Sequence, residues 1–189
     1  ESFSEDYFYR QTQHAHYAEP SVLPCEDFED AWIGEKTCEY LCEVNDDSPW
    51  FTFVSFVGPH NPWDAPAEYL EQYEDVPMPD PVVDPGADRA TWVQRKQEEM
   101  MRGTDETTAQ EMRQNYSGMV TLIDDYVGEM LDILEARGLL EDTIIVYTSD
   151  HGEMLGDLGL VHKSVQYESA LRVPLIFSGW GVPRMGASD

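Results

Sequence analysis

Four residues combine a reactive type with a telling position: His60, Asp150, His151 and Lys163. His60 sits in Pro59-His60-Asn61-Pro62, directly after the apolar run Trp50–Val57, and prolines on both sides restrict the backbone that presents it. A lone histidine is more often structural than functional, so on its own His60 stays open. Asp150 and His151 follow the apolar run Ile144–Thr148 in Ser149-Asp150-His151-Gly152-Glu153. An aspartate beside a histidine at a strand end offers one oxygen and one nitrogen ligand to a single cation. The alternative is that Asp150 merely caps a following helix. Lys163 lies in Leu160-Val161-His162-Lys163-Ser164, 12 residues after His151. Lys36, Lys96 and Lys163 are the only lysines. A chain that has discarded lysine and keeps one in a glycine-flanked loop has a use for it there, and the use read for Lys163 is binding an anion. His162, beside it, receives no role.

These residues need elements to hold them. Apolar residues at helical spacing (Phe28, Ala31, Trp32, Cys38, Leu41, Cys42) predict an amphipathic helix over Asp27–Val44. Trp50–Val57, β-branched and aromatic with no polar face, predicts a buried strand of a parallel sheet. A short helix is expected near Ala67–Tyr73, a proline-rich connector over 74–88 and a polar helix over about 89–102. A long helix from near Asp105 to Arg137 is expected to bury Met112, Tyr116, Met119, Ile123, Tyr126, Met130 and Leu134 and to stop at Gly138. Ile144–Thr148 and Val173–Phe177 complete the strands, and residues 1–24 read as loop. Strands alternating with helices predict an α/β fold with a mainly parallel sheet flanked by helices. Ligands in such sheets bind beyond the carboxyl ends of the strands, where His60 and the Asp150–His151 pair are expected.

Composition narrows the partners. The chain carries 38 acidic and 11 basic residues, a formal net charge of −27. Its 41% hydrophobic and 12% aromatic content supports a core and argues against disorder. Acid dispersed over a folded surface suits concentrated salt, where the Debye length falls to about 3 Å at 1 M. Nucleic acid is excluded as a partner, since phosphate binding requires clustered Lys and Arg. No apolar run approaches the roughly 18 residues of a membrane span. The expectation is a soluble chain, cytoplasmic or exported, from a high-salt setting. Cys25, Cys38 and Cys42 are odd in number and do not suggest a disulfide framework; Cys38 and Cys42 read as small buried residues. A first residue that is not Met, and a last stretch rich in Gly and Pro, are read as cuts.

Two long stretches resemble the sulfatase family of the alkaline phosphatase superfamily. One is Trp50–Tyr69, WFTFVSFVGPHNPWDAPAEY; the other runs from Tyr116 to Pro174 and contains YTSDHGEMLGDLGLVHKS. The resemblance implies that Asp150 and His151 are ligands of a catalytic divalent cation, that Lys163 contacts the transferred sulfate and the leaving oxygen, and that His60 lies on the leaving-group side. Carboxylate ligation favours Ca²⁺ or Mg²⁺, and His151 leaves Mn²⁺ and Zn²⁺ open. The expected activity is metal-dependent hydrolysis of a small-molecule or glycan sulfate ester. Alternatives are a phosphodiesterase or phosphonate monoester hydrolase of the same superfamily, and a non-catalytic or degenerate binding domain. The family's nucleophile is a formylglycine made from Cys or Ser in Cys/Ser-x-Pro/Ala-x-Arg, and no such sequence occurs here. Residues 1–189 are therefore read as part of a sulfatase catalytic domain. The nucleophile segment and two aspartate ligands are expected upstream and a smaller subdomain downstream, so this chain alone is expected to be inactive.

Overall fold

The computed structural model describes residues 18–45, 47–83, 90–100 and 106–183. Expectations for residues 1–17, for Pro85 and for the start of the long helix at Asp105 lie outside them.

Helix α1 (Glu29–Glu43) appears where apolar periodicity places it, but its inward face differs from the expected stripe. Asp30, Ala31, Gly34, Cys38 and Leu41 are buried, while Trp32 is 57% exposed and Cys42 lies on the surface. Steps of three and four from Ala31 define that face, and Trp32 is one residue, about 100° of helix, away from it. Gly34 is required by close packing: a Cβ there would lie 2.2 Å from Cγ of Tyr126. Two short helices follow, α2 (Ala67–Leu70) and α3 (Thr91–Met100).

The spine is α4 (Glu106–Ala136), 31 residues and about 46 Å long at 1.5 Å per residue. Met112, Met119, Ile123, Met130 and Leu134 are buried along the expected stripe, with Leu122 and Asn115 added. Gly138, at φ +71, stops it as expected. The Leu139 N–H donates to the Leu134 carbonyl at 2.8 Å and the Gly138 N–H to that of Glu135 at 2.9 Å, closing the last turn. Arg137 then reaches across to α1 and donates to the carbonyls of Leu41 (2.5 Å) and Val44 (2.8 Å), groups that end a helix without partners of their own.

Helices and strands combine in an α/β arrangement as expected, and the one strand pair among the described residues is antiparallel. Strands β1 (Ile144–Thr148) and β2 (Leu175–Gly179) pair antiparallel, Thr148 opposite Leu175 and Ile144 opposite Gly179. A parallel partner needs a crossover that carries the chain back along the strand. Here residues 149–174 fold up at one end of β1, with a 3-10 turn (Asp157–Gly159) and the four-residue α5 (Glu168–Leu171) between the strands. Both strands are also more exposed than expected, Ile144, Val146, Leu175, Ile176 and Phe177 each by half or more. Trp50–Val57 is extended but joins no ladder among the described residues. Trp50, Val54 and Phe56 pack on the α1–α4 core; Phe51 and Phe53 on the other face are 85% and 80% exposed. A run apolar on both faces predicts burial on both, and among the described residues only one side meets packed neighbours.

The connector after α2 is laced onto α4 by side chains. Gln114 donates to the carbonyls of Tyr73 and Glu74, Gln110 to that of Val76, and Arg113 to that of Pro79. Arg113 also pairs with Asp157 at 2.8 Å, both side chains being largely buried. Asp157 accepts the Val82 N–H and the Ser169 hydroxyl as well, each at 2.8 Å. One ion pair thus joins the connector, α4, the loop after β1 and the α5 region.

Candidate active site

His60 is presented by a turn anchored from below. The buried carboxylate of Asp30, on the first turn of α1, accepts the N–H groups of Val57 (2.7 Å) and Gly58 (2.9 Å). Burial raises the Asp30 carboxyl above its ordinary value, and those two amides oppose the rise. Asp30 thus ends the extended run just before the Pro59 turn, which no apolar pattern signalled. The peptide bonds before Pro59 and Pro62 are cis. Beyond them Trp63 enters the core, and buried Asn115 of α4 accepts the Ala65 N–H at 3.1 Å while donating to the Ala18 carbonyl at 3.0 Å.

The tautomer of His60 follows from its neighbours. Nδ1 lies 2.7 Å from the Asn61 carbonyl, which can only accept, so Nδ1 carries the proton. In the neutral ring Nε2 is then an acceptor. It faces the Lys163 ammonium in direct contact, across 103 residues of sequence. The structure therefore brings together two of the four singled-out residues, at the surface. Glu29 also feels this turn: burial and Asp30 raise its carboxyl and His60 opposes them.

Asp150 and His151 leave the end of β1 as a second pair. The His151 Nε2 is 3.6 Å from Asp150 Oδ2. His151 Nδ1 lies 2.8 Å from the Gly152 carbonyl and so carries the proton, leaving a lone pair on Nε2 near the exposed Asp150 carboxylate. One oxygen and one nitrogen with free lone pairs suit two positions of a divalent cation's shell. Among the described residues no cluster of three or more His, Cys, Asp or Glu side chains forms around them. The helix-cap alternative for Asp150 finds no helix to cap: among the described residues its Oδ1 accepts the His151 N–H, at 2.8 Å, and the Ser149 hydroxyl, at 3.5 Å. Gly152 is needed for close approach, since a Cβ there would lie 2.1 Å from the Ser169 carbonyl oxygen while its N–H donates to Ala170 at 2.9 Å.

Glu153 is the residue the sequence reading passed over. It is largely buried, and its Oε1 accepts the N–H groups of Met154 (3.0 Å), Leu155 (3.4 Å) and His162. Burial raises its carboxyl; the three amides and the Lys163 charge oppose the rise. One carboxylate therefore closes the loop from the Asp150–His151 pair back to Lys163. The only sequence signal was an acid placed between Gly152 and the apolar Met154-Leu155. Leu155, Leu158 and His162, all within this loop, are the non-glycine residues with left-handed backbone among those described (φ 43, 56 and 65). Such conformations cost of order 1–3 kcal/mol each and persist only where the surroundings over-determine them. Here Arg113 holds the Leu155 carbonyl and Gln97 that of Leu158.

Burial, with Glu68, pushes the Cys25 thiol up to about 12, and burial pushes Cys38 up to about 11, so neither is a nucleophile near neutral pH.

The Sulfatase family model matches residues 2–184. The chain is 32% identical over 152 residues to an arylsulfatase of Clostridium perfringens, covering 76% of this chain and 30% of that protein. It is 33% identical over 166 residues to choline-sulfatase of Rhizobium meliloti, covering 82% and 32%. Among solved structures it resembles the phosphonate monoester hydrolase SpPMH from Silicibacter pomeroyi, with a TM-score of 0.72 and 26% identity over 93% of this chain and 40% of that one. The chain spans about a third of the length of the curated relatives it matches. Matched by one family almost from end to end, and by relatives at 32% and 33% identity over more than two thirds of its length, the chain belongs to the sulfatase family of the alkaline phosphatase superfamily.

Proposed function

We propose that the protein hydrolyses sulfate esters, with His60 and Lys163 on the leaving-group side and Asp150 and His151 as two ligands of a divalent cation. The observation that carries this reading is the contact between His60 Nε2 and the Lys163 ammonium, two side chains from loops 103 residues apart. Sulfuryl transfer, like phosphoryl transfer, passes through a loose transition state with charge spread over the non-bridging oxygens and developing on the leaving oxygen. Positioned cations are the main aid to such a reaction. Lys163 supplies a fixed positive charge, and an anion entering beside it displaces the ammonium from His60 Nε2. His60 then takes a proton from solvent at the vacated Nε2 and can pass it to the leaving oxygen. Asp150 and His151 would hold a divalent cation, which would supply charge neutralisation for the sulfate and acidify the attacking group. Asp150 and His151 fit it by donor type, with Ca²⁺ or Mg²⁺ favoured by carboxylate ligation and Mn²⁺ or Zn²⁺ by the imidazole.

The formylglycine nucleophile of the family has no counterpart sequence here, so the 189-residue chain by itself is expected to release no sulfate. The deciding assay compares sulfate release from an aryl sulfate with phosphonate release from an aryl phosphonate monoester, using the full-length protein with its metal. A higher kcat/KM on the sulfate supports the reading. A higher value on the phosphonate moves the function to the second reading, which the likeness to the phosphonate monoester hydrolase favours.

A further inference from the structure

His162 is the polar residue of the lysine loop that the proposed reaction leaves without a task. Its ring stacks on Trp63, the centroids 5.6 Å apart and the planes 22° from parallel. Trp63 follows His60 by three residues, and His162 immediately precedes Lys163. The stack therefore joins the two loops right beside the point where His60 and Lys163 meet. Two observations set this pair apart from ordinary core packing. Trp63 is fully buried, yet its indole N–H has no hydrogen-bond partner among the described residues. Leaving a buried donor unsatisfied is costly, so the site uses Trp63 for its ring face and not for its N–H. His162 in turn sits at φ 65, a conformation glycine takes without steric cost and other residues rarely adopt. Its N–H is pinned by Glu153, so the backbone there is held from one side and the ring from the other.

We propose that His162 is a positioning residue: stacked on Trp63, it fixes the register between the His60 turn and the Lys163 loop and so sets the contact between those two side chains. The proposal rests on the reading of His60 and Lys163 as the leaving-group pair. A lysine side chain has four rotatable bonds, so its ammonium can be held to one place only if its backbone origin is fixed. Misplacement of a reacting group by about 1 Å costs on the order of 100-fold in rate. What matters in this role is a flat ring at position 162, not a titratable one.

The test compares His162→Phe, which keeps a ring, with His162→Leu, which keeps bulk without one, in the full-length protein. The first readout is structural and needs no turnover: the nuclear Overhauser contact between the His60 ring protons and the Lys163 side-chain methylene next to the ammonium. It is expected in the wild type, kept in His162→Phe and lost in His162→Leu. The second is kcat on an aryl sulfate, expected within about threefold of wild type for His162→Phe and about 10- to 100-fold lower for His162→Leu. Retention of the contact in His162→Leu, or its absence from the wild type, overturns the proposal. So does a His162→Phe protein that keeps the contact but loses turnover, since His162 would then act on the substrate directly. A wild type without sulfate release refutes the sulfatase reading alone, and the contact still decides the role of His162.

Discussion

His60 and Lys163 are paired by hydrogen-bond logic before any substrate is considered. The Asn61 carbonyl fixes the proton on Nδ1, so Nε2 can only accept and the ammonium can only give. Lys163→Ala in the full-length protein is expected to lower kcat on an aryl sulfate by about 100- to 1000-fold, the effect of losing one oriented electrostatic donor. His60→Ala is expected to cost less on substrates with acidic leaving groups than on alkyl sulfates, because only the latter depend on proton donation. Equal losses on both would remove the acid role. A further expectation concerns Asp30, whose carboxyl is raised by burial. An acid with a raised folded-state pKa contributes stability that is full below its unfolded value and is lost as pH rises through the folded one. Stability should therefore fall with pH just above the ordinary aspartate range. Asp30→Asn, which keeps an acceptor for the Val57 N–H, should flatten that part of the curve in denaturant melts at stepped pH; an unchanged slope would assign the titration elsewhere. At this scale the sequence singles out Lys163 by its rarity and His60 by its rigid flanks, and the structure brings those two side chains into contact. The sequence was silent where the work is done by a common acid accepting backbone amides, as at Asp30 and Glu153, because such contacts leave no periodicity.

Among the elements, the long helix α4 was readable since one stripe of side chains runs nearly its whole length and Gly138 ends it. The opposite face was not: Gln110, Arg113 and Gln114 look like ordinary solvated polar residues until the connector folds onto them. The pairing direction of β1 and β2 was also hidden, because it depends on where the chain travels after residue 148 and not on the strands' own composition. Arg113 and Asp157 are the joint of this arrangement, only 15% and 17% exposed. Removing one partner strands the other charge, so Asp157→Ala is expected to destabilise by about 3 kcal/mol, and the double change with Arg113→Ala by less than the sum of the singles. Additive losses in a double-mutant cycle would mean that the two act separately. Arg137→Ala should cost about 1–2 kcal/mol by freeing the Leu41 and Val44 carbonyls.

For the whole molecule, a charge of −27 repels itself, and added salt relieves that repulsion over all but contact distances. The thermal midpoint is expected to rise by about 5 °C between 0.1 and 1 M NaCl, equivalent to roughly 1–2 kcal/mol; a flat response would mean that the acids are spaced widely enough not to interact. Among the described residues no helix is long and apolar enough to cross a membrane. The exposed apolar residues Phe51, Phe53, Ile176 and Phe177 have the opposite response to salt, since screening lets such surfaces approach one another. The 189-residue chain alone is accordingly expected to self-associate at 1 M NaCl, and Phe53→Glu to reduce its sedimentation coefficient. The antiparallel pairing carries one more implication. Because Thr148 and Leu175 face each other, residues 149–174 depart from and return to the same end of the sheet. The segment bearing Asp150, His151 and Lys163 is thus a cassette whose two ends are held together by the strand pair, so a change that weakens the pairing of β1 with β2 reaches all three residues at once.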